Sequence, residues 1–595
     1  MQSASASATE DRLPVAAVAL LWAGTAAALA LMHWATLDDA YRSPDNAMRL
    51  VQVHAFIDGA SWFDPHEPRL DPPLGYDTHW SRLLDAGIVG LIFLFRQFTN
   101  PDFAERLARC VWPLLLSGPA VIASYASALR IGGAGAARAT LMIVLLTLLF
   151  VPGIFLPGEI DHHNAQVMLT LVMIACVLWC DDSPWLAAAG GIAGGLLLGV
   201  GLEAAAPLVA VGAALAMLFV HDARWRVPVR AFVVALGGAT ALAYALLTPA
   251  AFRFVPMCDE LGVNTAAAVV AGSLGLALVT NVGDRWTRMQ RLVATAVAGA
   301  LALVVFAAIE PRCLRGPIGL VDPAITALWI NNVSELQSVF SLIRNLGAEA
   351  VVHIAFPCLV IASAVFVIWR GLRTPLAWAP LAAVAVSSVI TAGTIRMGMY
   401  VVMLGMPFVG AAVDALSKRT TRPLLVGVGG AALASPPISA LVVIWLAAIV
   451  GEPMGKPAAA KTAPLWTVDV SRCLHPEIYR PVAAMPPGLI FGPLELGPSL
   501  LAFTPHSVVD AGYHRAYKSI IFEEEVMRGS ASAARERLVE RGVAYVMTCA
   551  DFPNYPNPAA FYNALLTGAA PAWLERVPLP EGNVLRMWRV RGDER

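Results

Sequence analysis

A chain that returns to the bilayer again and again has few folds open to it. Thirteen apolar runs are centred in 14–34, 106–129, 138–156, 164–180, 184–202, 204–220, 230–248, 264–281, 291–308, 347–369, 376–395, 398–416 and 424–450. A helix needs about 20 apolar residues to cross the hydrocarbon core. Backbone in that core must satisfy its own hydrogen bonds. The fold class expected is therefore a polytopic α-helical membrane protein with about 13 transmembrane helices. Composition agrees: 58% of the 595 residues are hydrophobic and 14% charged, against about half and about a quarter in an average soluble chain. A disordered chain, a disulfide miniprotein and an ordinary soluble enzyme are excluded. The net charge of −1 gives no basic field for nucleic acid. Charge gathers after residue 452, which predicts a transmembrane domain over 1–452 and a soluble domain over 453–595.

Topology follows from the arginines. Five short loops hold most of those in the membrane domain: Arg130/Arg138, Arg224/Arg226/Arg230, Arg285/Arg288/Arg291, Arg370/Arg373 and Lys418/Arg419/Arg422. Positive loops stay cytoplasmic, and all five fall on one side if the N-terminus is inside. The first run then reads as a retained signal anchor, not a cleaved signal peptide. Thirteen crossings put 453–595 outside, a periplasmic position if the membrane is the inner, cytoplasmic one. Residues 83–97 are apolar but short, so they are expected to lie on the outer surface or dip in and out. Two long loops also face outside, 35–105 and 310–345. Long loops in compact proteins are commonly functional.

The soluble domain reads as a small α/β layer. Strands are expected at 465–470, 488–492, 543–549 and 583–591, and helices at 521–541 and 557–568, with Gly542 ending the first. Cys110, Cys176, Cys180 and Cys358 fall in spans; Cys258, Cys313, Cys473 and Cys549 fall outside. An oxidising compartment permits disulfides, and the expected pairs are Cys258 with Cys313 and Cys473 with Cys549. No CxxC pair or Cys/His ligand spacing is present, which argues against a zinc site.

Several polar constellations sit on the predicted outer side. Asp38, Asp39, Asp45 and Arg49 follow the first span. Ser43 and Pro44 read as N-cap and N1 of a helix, with Asp45 in its first turn and Arg49 one turn on. A cap and a local salt bridge are the plainer reading. At 158–164, Asp161 and His163 alternate by two, so an extended stretch points both one way. That pair suits a divalent cation, Mn²⁺ or Mg²⁺. Glu335 stands in the second long loop, where a lone acid usually means only a solvated surface. Arg396 lies between two spans, where an arginine is costly unless paired or facing a wet cavity; it could bind a lipid phosphate or snorkel to the surface. His506, His514 and Arg515 make a small basic–aromatic patch, for which a solvated loop is the plainer reading.

In this order the pieces resemble the catalytic subunit of oligosaccharyltransferase, within the C-type glycosyltransferase (GT-C) superfamily. Pro44-Asp45 through Arg49, then Gly59, Trp62-Phe63-Asp64 and Pro72-Pro73-Leu74-Gly75, resembles the family's first external loop, with Asp39 as reserve for the aspartate. Gly158 to His163 resembles its second acidic motif, with His163 in place of a carboxylate. Val333-Ser334-Glu335-Leu336-Gln337 resembles the motif whose glutamate completes the site. Ile395-Arg396-Met397-Gly398-Met399-Tyr400 resembles the stretch whose arginine contacts the lipid diphosphate. The family's Trp-Trp-Asp-Tyr-Gly acceptor motif is absent; Phe491 to Gly497 stands in a similar setting without the tryptophans.

The resemblance implies an external, inverting transferase that takes a sugar or oligosaccharide from a polyprenyl-(di)phosphate donor lying among membrane lipid. It makes Asp45 and Glu335 catalytic, gives the metal to Asp45, Asp161 and His163, and gives the donor phosphate to Arg396. Asp39, Arg49, His162, His506, His514 and Arg515 become auxiliary or acceptor-guiding. The acceptor, a glycan, lipid or protein, stays open. So do two alternatives: a metal-independent transferase using a polyprenyl-monophosphate sugar, and a non-catalytic lipid-sugar transporter.

Overall fold

Each of the thirteen apolar runs contains helix in the structure, a computed structural model that describes residues 12–151, 153–346, 350–450 and 468–591. Among the described residues, eight helices are long and apolar enough to cross a membrane, from Val15–His33 to Ile395–Ser417. The last run is a pair, Pro423–Leu433 and Pro436–Leu446, bent by 77°. Four shorter apolar helices fill the remaining positions: Ala134–Phe150, His163–Leu178, Pro184–Val200 and Ala205–His221. Helix ends follow local chemistry. Asn100 accepts a hydrogen bond from the Phe103 N–H just ahead of Pro101, and so starts the helix Pro101–Gly132. The helix stops where Gly133 takes a φ of +92°, and the Arg373 guanidinium occupies the space a Cβ would need.

The short run near 83–97 forms the helix Arg82–Arg96, 15 residues long. Leu84, Ile88 and Ile92 make its buried face, in one apolar cluster with Ala108 and Trp112 of the helix Pro101–Gly132. The opposite face leaves Phe93 and Leu94 exposed.

The C-terminal region is a five-stranded mixed sheet in the order Ser507–Val508, Leu489–Phe491, Tyr545–Cys549, Leu585–Val590, Leu574–Val577. The first two pairings are parallel and the last two antiparallel. The α/β expectation stands, with corrections. Half of the strand expected at 465–470 falls outside the described residues, and 468–470 carry no strand. The helix expected at 521–541 is two, Tyr517–Arg528 and Ala531–Glu540, because Gly529 is extended and Ser530 caps the second. Gly542 does end it, at a φ of +72°. The edge strand Leu574–Val577 was not expected, because Glu575 and Arg576 break the apolar pattern at its centre. Both expected disulfides are present, Cys258–Cys313 and Cys473–Cys549.

Sheet and first external loop are built together. Leu70 bridges Val508, with the Asp71 N–H donating to the Val508 carbonyl at 2.9 Å and the Val508 N–H to Arg69 at 2.8 Å. Met48, Val51, Leu70, Tyr76 and Trp80 belong to the same apolar core as Phe491, Val546 and Met587. Between sheet and helices lie buried acids. Burial and mutual repulsion push Glu495 up to about 7 and raise Asp510 and Glu523 further from their ordinary range. An acid raised in the fold stabilises it fully only below its unfolded pKa of about 4, and that stabilisation is lost as pH rises through the folded value. The C-terminal domain is therefore expected to unfold at a lower temperature at pH 8 than at pH 5, and Glu523→Gln to shrink that difference, read by thermal unfolding in detergent.

Candidate active site

The helix Pro44–Ile57 begins where the sequence predicts, with Ser43 at the N-cap position and Pro44 first. The Ser43 side chain makes no capping bond, however. Asp45 occupies the first turn. Arg49 does not pair with it. Arg49 is fully buried, bonded to Asp85 at 2.8 Å and set over the Trp80 ring at 4.5 Å. Asp85 also accepts from Arg82 at 3.1 Å. The expected local salt bridge is thus replaced by a buried long-range one.

Asn46 does the joining. Its Nδ2 donates to the Ala40 carbonyl and to Glu159 Oε2, each at 2.8 Å. Its Oδ1 accepts from the Ile160 and Asp161 N–H groups at 2.9 and 3.1 Å. The turn before the helix His163–Leu178 is thereby sewn to the start of the Asp45 helix. Gly158 permits the approach: at its φ of +97° a Cβ would meet Ala40 Cβ at 2.6 Å and the Leu37 carbonyl at 2.8 Å.

Four loops then meet. Asp161 Oδ1 stands 2.5 Å from His162 Nδ1, and Asp161 Oδ2 is 3.2 Å from His163 Nε2. His163 Nδ1 lies 2.9 Å from Glu203 Oε2. Arg396 reaches Glu203 at 2.8 Å, His163 at 3.2 Å and Glu335 at 3.2 Å. Glu335 is held from behind: its carbonyl accepts from Thr394 Oγ1 at 3.1 Å, and the Gln337 carbonyl from the Ile395 N–H at 2.9 Å. Burial, then the charges of Asp161 and Glu335, push Asp45 up to about 7, against the pull of Arg396. Burial alone would raise Asp161, but the positive charges of His162 and His163 hold it well below the usual carboxylate range. Burial opposes, yet Asp161 and Glu203 lift His162 to about 10.

Sequence reasoning missed Glu203. The signal was available: it is the lone acid between two apolar runs, where an unpaired charge is costly. Asp161, His162 and His163 present ligand atoms within 4.8 Å of one another, a grouping that fits a metal.

Other candidates lie elsewhere. Asp39 pairs with exposed Arg42 at 3.4 Å. His506 is fully buried, between the Val482 carbonyl at 3.0 Å and the Gly488 backbone, which makes it a core histidine and not an acceptor guide. His514 and Arg515 form no solvated patch: both grip Asp259, at 2.6 and 2.7 Å. From the C-terminal domain, the buried ring of Tyr513 meets Trp80 at 5.5 Å, and Trp80 lies 6.1 Å from His162.

The fold has precedents among solved structures. Over 90% of its length the chain superposes on the apo oligosaccharyltransferase of Archaeoglobus fulgidus, with a TM-score of 0.62 and 15% identity, covering 69% of that chain. The fold is shared with that archaeal protein. The same archaeal protein, AglB, in complex with an inhibitory peptide and a dolichol-phosphate gives a TM-score of 0.58 and 15% identity over 85% of this chain and 65% of that one. The chain thus spans about two thirds of the archaeal protein's length. No family model and no curated protein matches the sequence. In this fold, the seam at Asn46 has a testable weight. An unsatisfied buried N–H costs about 1–3 kcal/mol, and Asn46→Ala orphans two. It is expected to lower the thermal unfolding temperature in detergent markedly. Lys418→Ala, which removes only an exposed pair with Asp414, is expected to change it little.

Proposed function

We propose that the protein is a membrane glycosyltransferase that transfers a sugar or oligosaccharide from a polyprenyl-(di)phosphate donor, with inversion, at the external or periplasmic face. The N-terminus is cytoplasmic and the C-terminal domain external in this reading. The observation that carries it is the meeting of residues from separate motifs, Asp161, His163, Glu335 and Arg396, within one chain of contacts. The archaeal protein of the same fold has been captured with a dolichol-phosphate, and separately with zinc and sulfate.

Asp45, Asp161 and His163 fit a divalent cation by their donor types, and repulsion between the two acids is what a cation would relieve. Bound there, Mn²⁺ or Mg²⁺ would offset charge growing on the phosphate leaving group. Arg396 binds a phosphate oxygen through its planar fork. Glu203 holds that fork in place. Asp45 or Glu335 orients the acceptor nucleophile and takes its proton. Attack opposite the leaving phosphate inverts the anomeric carbon. With the tryptophan motif missing, the acceptor stays open among glycan, lipid and protein.

One observation favours the metal-free, monophosphate alternative. Asp161 already faces two imidazoles, and Glu203 faces Arg396, so the charges balance without an ion. Against a transporter, the ionisable groups cluster at the loop ends of helices and not along a midplane path. The deciding assay follows sugar release from polyprenyl-diphosphate and polyprenyl-monophosphate donors, with Mn²⁺ or chelator. Asp161→Ala, Glu335→Ala and Arg396→Ala are each expected to lose about 10²-fold or more of turnover. Loss of turnover in chelator supports the metal reading; full turnover in chelator with the monophosphate donor supports the alternative.

A further inference from the structure

A second cluster lies outside the site described above. His79 from the first external loop, Asp259 from the loop after the helix Arg226–Leu247, and His514 from the C-terminal domain bring ligand atoms within 4.8 Å of one another. We infer that His79, Asp259 and His514 form a zinc site that clamps the C-terminal domain to the external end of the helix bundle.

The donor set carries the choice of ion. Two imidazoles and one carboxylate, with a fourth position left for water, make a tetrahedral zinc site. The geometry is close to assembled. His514 Nε2 stands 2.6 Å from Asp259 Oδ2, and the His79 and His514 ring centroids are 4.8 Å apart. Zinc–ligand bonds of about 2.0–2.2 Å space neighbouring donors by more than 3 Å or so, a sub-ångström opening of this pair. His79 Nδ1 is buried and has no hydrogen-bond partner among the described residues, which leaves this nitrogen available as a ligand.

The surroundings fit a ligating carboxylate, which is normally held from behind. Arg515 grips Asp259 through Nε at 2.7 Å and through its second nitrogen at 2.9 Å, and meets Glu260 at 3.0 Å. Asp259 and Glu260 against the single guanidinium of Arg515 leave a negative charge for a divalent ion to offset. The disulfide Cys258–Cys313 fixes the residue next to Asp259. The sites are separate in composition: none of these three residues touches Asp161, His163 or Arg396 in the contacts above.

The clamp has a consequence for the cleft. Trp80 follows His79, and Tyr513 precedes His514. Those two rings meet at 5.5 Å, and Trp80 lies 6.1 Å from His162. Zinc would fix both flanking residues, and with them the wall between the C-terminal domain and the candidate active site.

The test uses the full chain in detergent, stripped with chelator and titrated with zinc, in an Asp161→Ala background that removes the other metal-fitting group. Bound zinc is measured by elemental analysis and its effect by thermal unfolding. We expect one zinc per chain, a raised unfolding temperature, and a loss of affinity of about tenfold or more in His79→Gln and in His514→Gln. His475→Gln, elsewhere on the same domain, is expected to bind as the parent does. The wild-type chain gives an independent reading, since His79→Gln should lower its bound zinc by one equivalent. Absence of zinc from the Asp161→Ala chain, or unchanged zinc binding on His79→Gln, would overturn the assignment.

Discussion

The buried amide of Asn46 decides where the chemistry can sit. It makes two donations and two acceptances, and these tie the first external loop to the turn at 159–161. With the amide in place, Asp161 is close enough for its charge to raise Asp45. Without it, two backbone N–H groups and a buried glutamate would lose partners together. The turn could not then stay closed against the helix Pro44–Ile57. Gly158 is the steric half of the same constraint, since only a residue without a Cβ lets the turn pass Leu37 and Ala40.

Around this seam the charges are arranged by pairing and not by exposure. Arg396 is shared among Glu203, Glu335 and His163, and Arg49 and Arg82 share Asp85. Buried ions are costly alone and tolerable only when matched. Each arginine therefore fixes several loops at once. The first external loop serves two masters: its helix carries Asp45, while Leu70 and Trp80 enter the core of the C-terminal sheet. Domain and membrane bundle are thus joined in part through this loop, next to the cluster of His79, Asp259 and His514.

Much of the fold was legible. Apolar runs, strand segments and both disulfides follow from hydropathy, β-branched content and compartment, which are local or compositional properties. Asp45, Asp161, Glu335 and Arg396 were legible because each is a polar residue in a short, unusual context. Their meeting was not visible from any one of them. Glu203 was missed because one acid in an apolar stretch carries no spacing. His506 was misread because a histidine beside Pro and Ser in sequence says nothing of the backbone groups that enclose it. The absence of Cys/His spacing argued against zinc, but ligands at 79, 259 and 514 leave no spacing to find.

Sequence alone determined that the chain lives in a membrane, that its polar motifs fall between spans, and that an α/β domain follows. Those conclusions depend on transfer of side chains from water to lipid, which sums along the chain. Tertiary structure alone decided partners: Arg49 with Asp85 and not Asp45, Arg396 with Glu203, His514 with Asp259. A charge accepts whichever opposite charge the fold delivers within about 4 Å, and that distance is set by helix packing over hundreds of residues, not by neighbours in sequence.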